Sequence, residues 1–260
     1  FIREWWDNDD TVTLITRPRR FGKTLNMSML ECFFSNKYKD RGDLFEGLEI
    51  WNDEKYRKLQ GTYPVIFLSF ADVKADNIQD ARFQVKVKIS ELFDQNTYLL
   101  DSNVLSDNEK DIFKNITMYM DDALCCSAVN IMCRYMQRYY NKKVIVLLDE
   151  YDTPMQEAYI HGYWDEFTAF LRSLFNATFK TNPYLERAVM TGITRVSKES
   201  MFSDLNNLNV VTTTSDEYSS CFGFTEEEVF DSLDAFGLSD KKQEVKKWYD
   251  GFTFGSHKHI

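Results

Sequence analysis

The feature that most limits what this chain can fold into is a junction near its start. A short apolar run, Val12-Thr13-Leu14-Ile15-Thr16, passes through Arg17-Pro18-Arg19-Arg20-Phe21-Gly22-Lys23-Thr24 into the helix-like Leu25-Asn26-Met27-Ser28-Met29-Leu30-Glu31. A strand that turns tightly into a helix opened by Gly-Lys-Thr is the setting of a phosphate-binding loop. There the backbone N–H groups and the positive end of the helix dipole face an anion. In that arrangement Lys23 bridges the outer phosphates and the Thr24 hydroxyl ligates Mg²⁺. The stretch expected to contact the nucleotide is Arg19, Arg20, Phe21, Gly22, Lys23, Thr24 and Leu25. Position 17 departs from the general G-x-x-x-x-G-K-[ST] spacing, because Arg stands where the first Gly is expected.

The second constraint lies far downstream, at Val144-Ile145-Val146-Leu147-Leu148-Asp149-Glu150. Five apolar residues after Lys142-Lys143 read as a strand buried on both faces, as in a parallel sheet. Ligands in open α/β sheets bind outside the carboxyl ends of the strands, which is where the two acids fall. Taken alone, the acids could simply end a strand and face solvent. Paired with the Gly-Lys-Thr loop they read as a Walker B pattern. Asp149 then holds Mg²⁺ through water, and Glu150 polarises the attacking water.

Strands alternate with helices along the rest of the chain. Pro64 to Phe70 reads as a second strand, and a polar, helix-rich stretch runs from about 78 to 121. An amphipathic helix follows, with Leu124, Ala128, Ile131, Met132, Tyr135, Met136 and Tyr139 at helical spacing. After the acidic strand comes another, carrying Trp164, Phe167, Phe170, Leu171, Leu174 and Phe175 on one stripe. Leu185 to Thr191 reads as a fourth strand and Asn209 to Thr213 as a fifth. Thr225-Glu226-Glu227-Glu228 signals a capping box for a helix with Val229, Phe230, Leu233 and Phe236, and Asp240 starts a last helix with Val245 and Trp248. The alternation predicts an α/β fold, a P-loop NTPase three-layer α/β/α sandwich with a mostly parallel sheet. One domain over 1–260 is the simplest count, with 78–121 as a helical insertion. No initiator Met opens the chain, so further sequence upstream is expected.

Composition narrows the function classes. The 43% apolar content supplies a core, while a net charge of −10 makes the surface as a whole repel nucleic acid and anionic membrane. Nucleic acid is therefore expected as a partner only through a local basic patch or another domain. No run of 18 apolar residues occurs, so no membrane span is expected. The five cysteines form no disulfide framework for a chain this long and read as buried packing in a reducing cytoplasm. Asp231 or Asp234 followed by Glu244-Val245-Lys246 imitates the D…E-x-K of metal-dependent nucleases. Those acids belong at strand ends, whereas these fall in a helix-like stretch. His257-Lys258-His259 has no carboxylate or Cys neighbour in sequence and reads as a mobile tail.

At several separate places the chain resembles the bacterial predicted AAA-ATPase-like family. The residues that carry the likeness are Phe1-Ile2-Arg3-Glu4-Trp5, the run from Val12 to Ser28, Asp149-Glu150-Tyr151-Asp152, Thr191-Gly192-Ile193-Thr194-Arg195 with Lys198-Glu199-Ser200, Leu205-Asn206-Asn207-Leu208, Phe222-Gly223-Phe224-Thr225 and Trp248-Tyr249-Asp250-Gly251-Phe252. Arg at position 17 is usual within that family. The resemblance implies an ATP- and Mg²⁺-dependent hydrolase in which the fourth strand lies between the two Walker strands. A polar side chain ending that strand then touches both the γ-phosphate and the attacking water, with Thr191 the first candidate and Thr194 the second. Arg195 is expected to contact a phosphate in cis or to act as an arginine finger in a neighbouring subunit, which implies self-association. Arg19 and Arg20 either help neutralise nucleotide charge or pair with surface acids. Asp152 reads as a helix cap or a supporting acid. Members often carry a C-terminal PD-(D/E)XK nuclease-like domain, which would begin beyond this chain. Two other functions stay open at this stage: a slow nucleotide-dependent switch that recruits a protein partner, and the ATPase subunit of a nucleic-acid-processing system.

Overall fold

The computed structural model describes residues 1–260 apart from 181, 195–200, 203, 204, 206, 250 and 260. Its elements run α1 (Ile2–Asn8), β1 (Val12–Thr16), α2 (Lys23–Phe34), α3 (Glu54–Arg57), β2 (Val65–Ser69), α4 (Ile78–Asp94), α5 (Asp107–Asn115), α6 (Asp122–Tyr140), β3 (Val144–Asp149), α7 (Thr153–Ile160), α8 (Trp164–Phe175), β4 (Leu185–Gly192), β5 (Leu208–Val211), α9 (Glu226–Ala235), α10 (Lys242–Tyr249), β6 (Phe252–Phe254) and β7 (His257–His259). The first five strands form one sheet in the order β2-β3-β4-β1-β5, every pair parallel. β4 therefore lies between the strand that leads into Gly22-Lys23-Thr24 and the strand that ends in Asp149.

Apolar residues sort the two faces by their period of two. Val144, Val146 and Leu148 point into a core shared with α4, α6 and α8. Ile145 and Leu147 point the other way, against α1, α2 and the segment around Phe45 and Tyr63. A strand wetted on neither face needs apolar residues at every position, which is why β3 reads as an unbroken apolar run. The sheet is thus the middle of three layers, an α/β fold of the P-loop NTPase type.

Parallel pairing brings like ends together. Thr16 stands opposite Gly192 and Ser69 opposite Asp149, so the loops leaving β1, β2, β3 and β4 meet at one edge. The ends are also tied beyond the ladder: the Arg17 N–H donates to the Gly192 carbonyl (3.1 Å), Phe70 to Asp149 (3.0 Å) and Tyr151 to Thr191 (3.0 Å).

Within 78–121, α5 is docked onto α6 through one carboxylate. Glu109 completes the capping box of Ser106 and also pairs with Arg138. The Arg138 hydrogen bond is the main reason the Glu109 carboxyl is held down at about 2 instead of 4.5. A depressed carboxylate stabilises the fold above its unfolded pKa and loses that contribution as pH falls through its folded one. Between about pH 4.5 and 2 the parent should therefore lose about 1–2 kcal/mol, solvent screening trimming the larger figure the shift alone implies. Urea titrations over that range should show a shallower pH dependence for Glu109→Gln; parallel profiles would show that the pair does not stabilise the docking.

The C-terminal part departs from the sequence expectation. Residues 257–259 are not a mobile tail. They form β7, paired antiparallel with β6 across a Gly255-Ser256 turn in which Gly255 takes a left-handed φ of 52°. His259 is buried, its ring 4.6 Å from that of Phe254, and its strand bridges Thr225. A two-residue glycine turn between very short strands is a tertiary feature with little periodicity to read. The capping box at Thr225 and Glu228 forms as expected. Yet α9 and α10 bury none of their residues, and Phe236 and Trp248 are largely exposed. The last helix begins at Lys242, after a 3₁₀ turn over Ser239–Lys241, and not at Asp240. All five cysteines are free. Among the described residues no helix is long and apolar enough to cross a membrane.

Candidate functional site

The loops that meet at the carboxyl edge of the sheet enclose a polar cavity of about 520 Å³. It is lined by Arg19, Arg20, Gly22, Lys23, Thr24 and Leu25 on one side and by Lys74, Glu150, Thr153, Gln156 and Glu157 on the other. Two backbone positions shape the first side. Arg20 and Gly22 both take left-handed φ values, 69° and 70°, which turn the loop sharply before α2 begins at Lys23. Glycine adopts this region freely. A non-glycine residue held there, as Arg20 is, marks local strain of the kind that clusters at binding sites.

Lys23 is almost fully buried, and its ammonium donates to the Arg17 and Pro18 carbonyls at 3.1 and 2.9 Å. Burial pushes its pKa down, while the charges of Glu150, Asp149 and Asp152 act in the opposite sense. The ammonium is thus a partly desolvated cation facing three carboxylates, held by weak neutral acceptors.

Asp149 is the centre of the constellation. The Thr24 hydroxyl donates to its Oδ2 at 2.7 Å, and the Thr191 hydroxyl donates to its Oδ1. The first residues of α2, the end of β3 and the end of β4 therefore converge on one buried carboxylate. A carboxylate beside a hydroxyl, both hard oxygen donors, suits a hard divalent cation that keeps most of its ligands as water and substrate oxygens. The donor set fits Mg²⁺, with Thr24 and Asp149 as the residues that would hold it.

Glu150, the next residue, takes a left-handed φ of 52°, which swings its side chain out of the strand line. Thr153, at the start of α7, donates its hydroxyl to Glu150 Oε2 at 3.0 Å. Asp152 caps no helix with its side chain. It is buried, and its Oδ2 accepts the N–H groups of Ile193 (3.0 Å) and Thr194 (2.7 Å), the Thr194 hydroxyl (2.7 Å) and the Gln156 amide (3.1 Å). It is a strut that fixes the turn after β4. Gly192 is required beside it, because a Cβ there would stand 2.6 Å from Asp152 Oδ1 and from the Tyr151 ring.

The structure thus brings Gly22, Lys23, Thr24, Asp149, Glu150 and Thr191 together, with Arg19, Arg20 and Leu25 on the rim. Thr194 bonds Asp152 and lines a second cleft with Met155, Tyr159 and Tyr163. Arg195 lies outside the described residues. Phe21 lines no part of the cavity: its ring is buried against Phe252 and Phe254 of the hairpin, leaving only its backbone at the loop. Arg17 also points away. Its guanidinium donates to the carbonyls of Thr16, Thr212 and Glu217 and lies 4.9 and 5.5 Å from the Phe254 and Phe222 ring centres. Burial brings it down to about 10, which leaves it charged at neutral pH. Of the three arginines in the run, Arg19 and Arg20 line the cavity and Arg17 does not. Arg17 is the bolt that ties the loop to the C-terminal segment.

Sequence reasoning missed Lys74, Thr153, Gln156 and Glu157. The last three follow Asp149-Glu150 on a short helix, α7, whose Thr-Pro start was the available signal. Lys74 follows the carboxyl end of β2, an end where ligands gather in α/β sheets.

The profile of a family described as "Predicted AAA-ATPase" matches residues 1–202. The chain is also similar to a protein of Azotobacter chroococcum mcd 1 described as "Uncharacterized protein in vnfD 5'region", with 28% identity over 243 residues. That match covers 92% of this chain but 41% of the relative, so the chain spans less than half of the relative's length.

Proposed function

Since this chain belongs to the predicted AAA-ATPase family, we propose that it binds ATP with Mg²⁺ and hydrolyses the β–γ bond. The observation that carries the reading is the convergence of the Thr24 and Thr191 hydroxyls on the Asp149 carboxylate, beside the buried ammonium of Lys23. Nothing in the packing of a strand edge demands a buried acid, two hydroxyls and a desolvated lysine in one place. A bound nucleotide triphosphate does.

In this mechanism the N–H groups at the start of α2 and the Lys23 ammonium receive the β- and γ-phosphates, the lysine exchanging the Arg17 and Pro18 carbonyls for stronger anionic acceptors. Thr24 and Asp149 would hold Mg²⁺, which would supply positive charge to offset that of the γ-phosphoryl oxygens. Thr191 fixes the Asp149 carboxylate by donating to it. Glu150, steadied by Thr153, accepts a proton from the attacking water. The water oxygen bonds to the γ-phosphorus as the bridging P–O bond breaks, and the electron pair leaves on the β-phosphate of ADP. The five free thiols accord with a reducing cytoplasmic setting.

The purified chain should release phosphate from ATP in Mg²⁺ and stop when the metal is removed with EDTA. Duplex DNA at physiological salt should leave the rate unchanged, because the net charge of −10 opposes binding. Nucleotide binding without any phosphate release would favour the switch function, and turnover only with DNA the nucleic-acid-processing one.

A further inference from the structure

Lys74 lines the cavity on the side opposite Lys23, together with Glu150 and Glu157. Its side chain is exposed, whereas its neighbours Val73 and Ala75 are buried in the core. The short stretch that carries it is held from several directions. The Val73 N–H donates to the Phe70 carbonyl at 3.1 Å. Gln84 of α4 clasps the Lys74 backbone twice, its amide oxygen accepting the Lys74 N–H at 2.7 Å and its amide nitrogen donating to the Lys74 carbonyl at 2.8 Å. The Tyr163 hydroxyl donates to the Ala75 carbonyl at 2.7 Å, and Asp72 pairs with Lys88 at 2.7 Å.

Surface loops are ordinarily mobile, and a solvated lysine needs no fixed backbone. Here the backbone is pinned on both sides of one exposed lysine, which fixes the root of its side chain beside the cavity. Among the described residues the Lys74 ammonium has no ion-pair or hydrogen-bond partner, although two carboxylates line the same cavity. The loop also arrives from a definite side. β2 flanks β3, with Ser69 opposite Asp149 and the Phe70 N–H on the Asp149 carbonyl, so Lys74 approaches where Glu150 stands.

We propose that Lys74 is a second phosphate-contacting cation supplied in cis, which bonds the γ-phosphate oxygens of bound ATP from the Glu150 side. The inference rests on the ATPase reading. Negative charge on those oxygens meets Glu150 and Glu157 across a small cavity, and an ammonium there offsets the repulsion. As the γ-phosphoryl group transfers, a cation rooted at that position stabilises the charge spread over its oxygens. Gln84 is the positioning residue that aims it.

The test compares ATPγS and ADP, which differ in the γ-group, on Lys74→Met, Lys74→Arg, Gln84→Leu and Lys23→Ala. Lys74→Met should weaken ATPγS about 10- to 100-fold, the range for one hydrogen bond between charged groups, and leave ADP affinity unchanged. Single-turnover hydrolysis should fall at least as far. Lys74→Arg should recover most of both, and Gln84→Leu should fall between. The side chain is exposed, so the fold is not at risk. If Lys74→Met binds ATPγS and ADP in the parent's ratio and hydrolyses at the parent's rate, while Lys23→Ala loses both nucleotides, Lys74 has no such role. Should Lys23→Ala bind both as the parent does, the site itself is misassigned and the proposal goes with it.

Discussion

Glu150→Gln should bind Mg²⁺–ATP at close to the parent affinity while hydrolysis falls by about 10²–10⁴, the usual contribution of a positioned base. The substitution is as nearly isosteric as side chains allow. Gln keeps an oxygen for the Thr153 hydroxyl that now bonds Glu150 Oε2 at 3.0 Å. It occupies the left-handed φ of 52° at no greater steric cost, since the Cβ and Cγ are the same. Only the charge that draws a proton from water is lost. Asp149→Asn should fail differently, by weakening the Mg²⁺ dependence of binding, because a hard cation prefers a carboxylate to an amide. Phosphate release measured beside nucleotide titration separates the two. Parent-rate hydrolysis by Glu150→Gln, with the parent clearly active, would remove Glu150 from the chemistry, and Asp152 would be the next acid to test.

Lys23→Ala should lose ATP affinity by at least about 100-fold, since in the proposed mechanism the ammonium makes charge-assisted bonds to two phosphates, each worth more than a neutral hydrogen bond. The fold should survive. Burial already depresses the Lys23 pKa, so the folded state bears a desolvation cost for this cation that a neutral side chain does not. The unfolding midpoint should accordingly stay near that of the parent, although the Arg17 and Pro18 carbonyls lose a donor. Calorimetric titration with ATP, run beside a denaturation curve, reads both. Unchanged affinity in a folded variant would exclude Lys23 from the nucleotide site.

Much of the architecture was legible because parallel sheets write themselves strongly into sequence. β1 and β3 are buried on both faces; the apolar run of β3 is unbroken through Leu148, that of β1 is interrupted only by threonine, and the helices α6 and α8 carry their core residues on one stripe. The placement of β4 between β1 and β3 did not come from periodicity. It was implied by family resemblance, and the pairing of Thr16 with Gly192 and Leu148 with Met190 establishes it. Residues 252–259 and α7 were poorly legible for the opposite reason: they are too short to build a periodic signal, and long-range contacts decide them.

The residues of the site divide along the same line. The sequence by itself determined which groups are candidates for the chemistry: a lysine and a threonine at the head of α2, and two acids at the end of a buried strand. Local spacing suffices for this, because strand, turn and helix are set by neighbours in the chain. Only the tertiary structure decided where those groups point. It turned Arg17 inward onto the Thr212 and Glu217 carbonyls and Phe21 under the hairpin, although both stand within the loop motif. It joined Thr24 and Thr191 to Asp149 across three elements distant in sequence, made Asp152 a strut for the turn after β4, and carried Lys74 to the rim. The physical reason is that a side chain's direction follows from backbone dihedrals, such as the positive φ of Arg20 and Glu150, and from the burial of its neighbours. Both are fixed only when the sheet edge closes and brings its loops together.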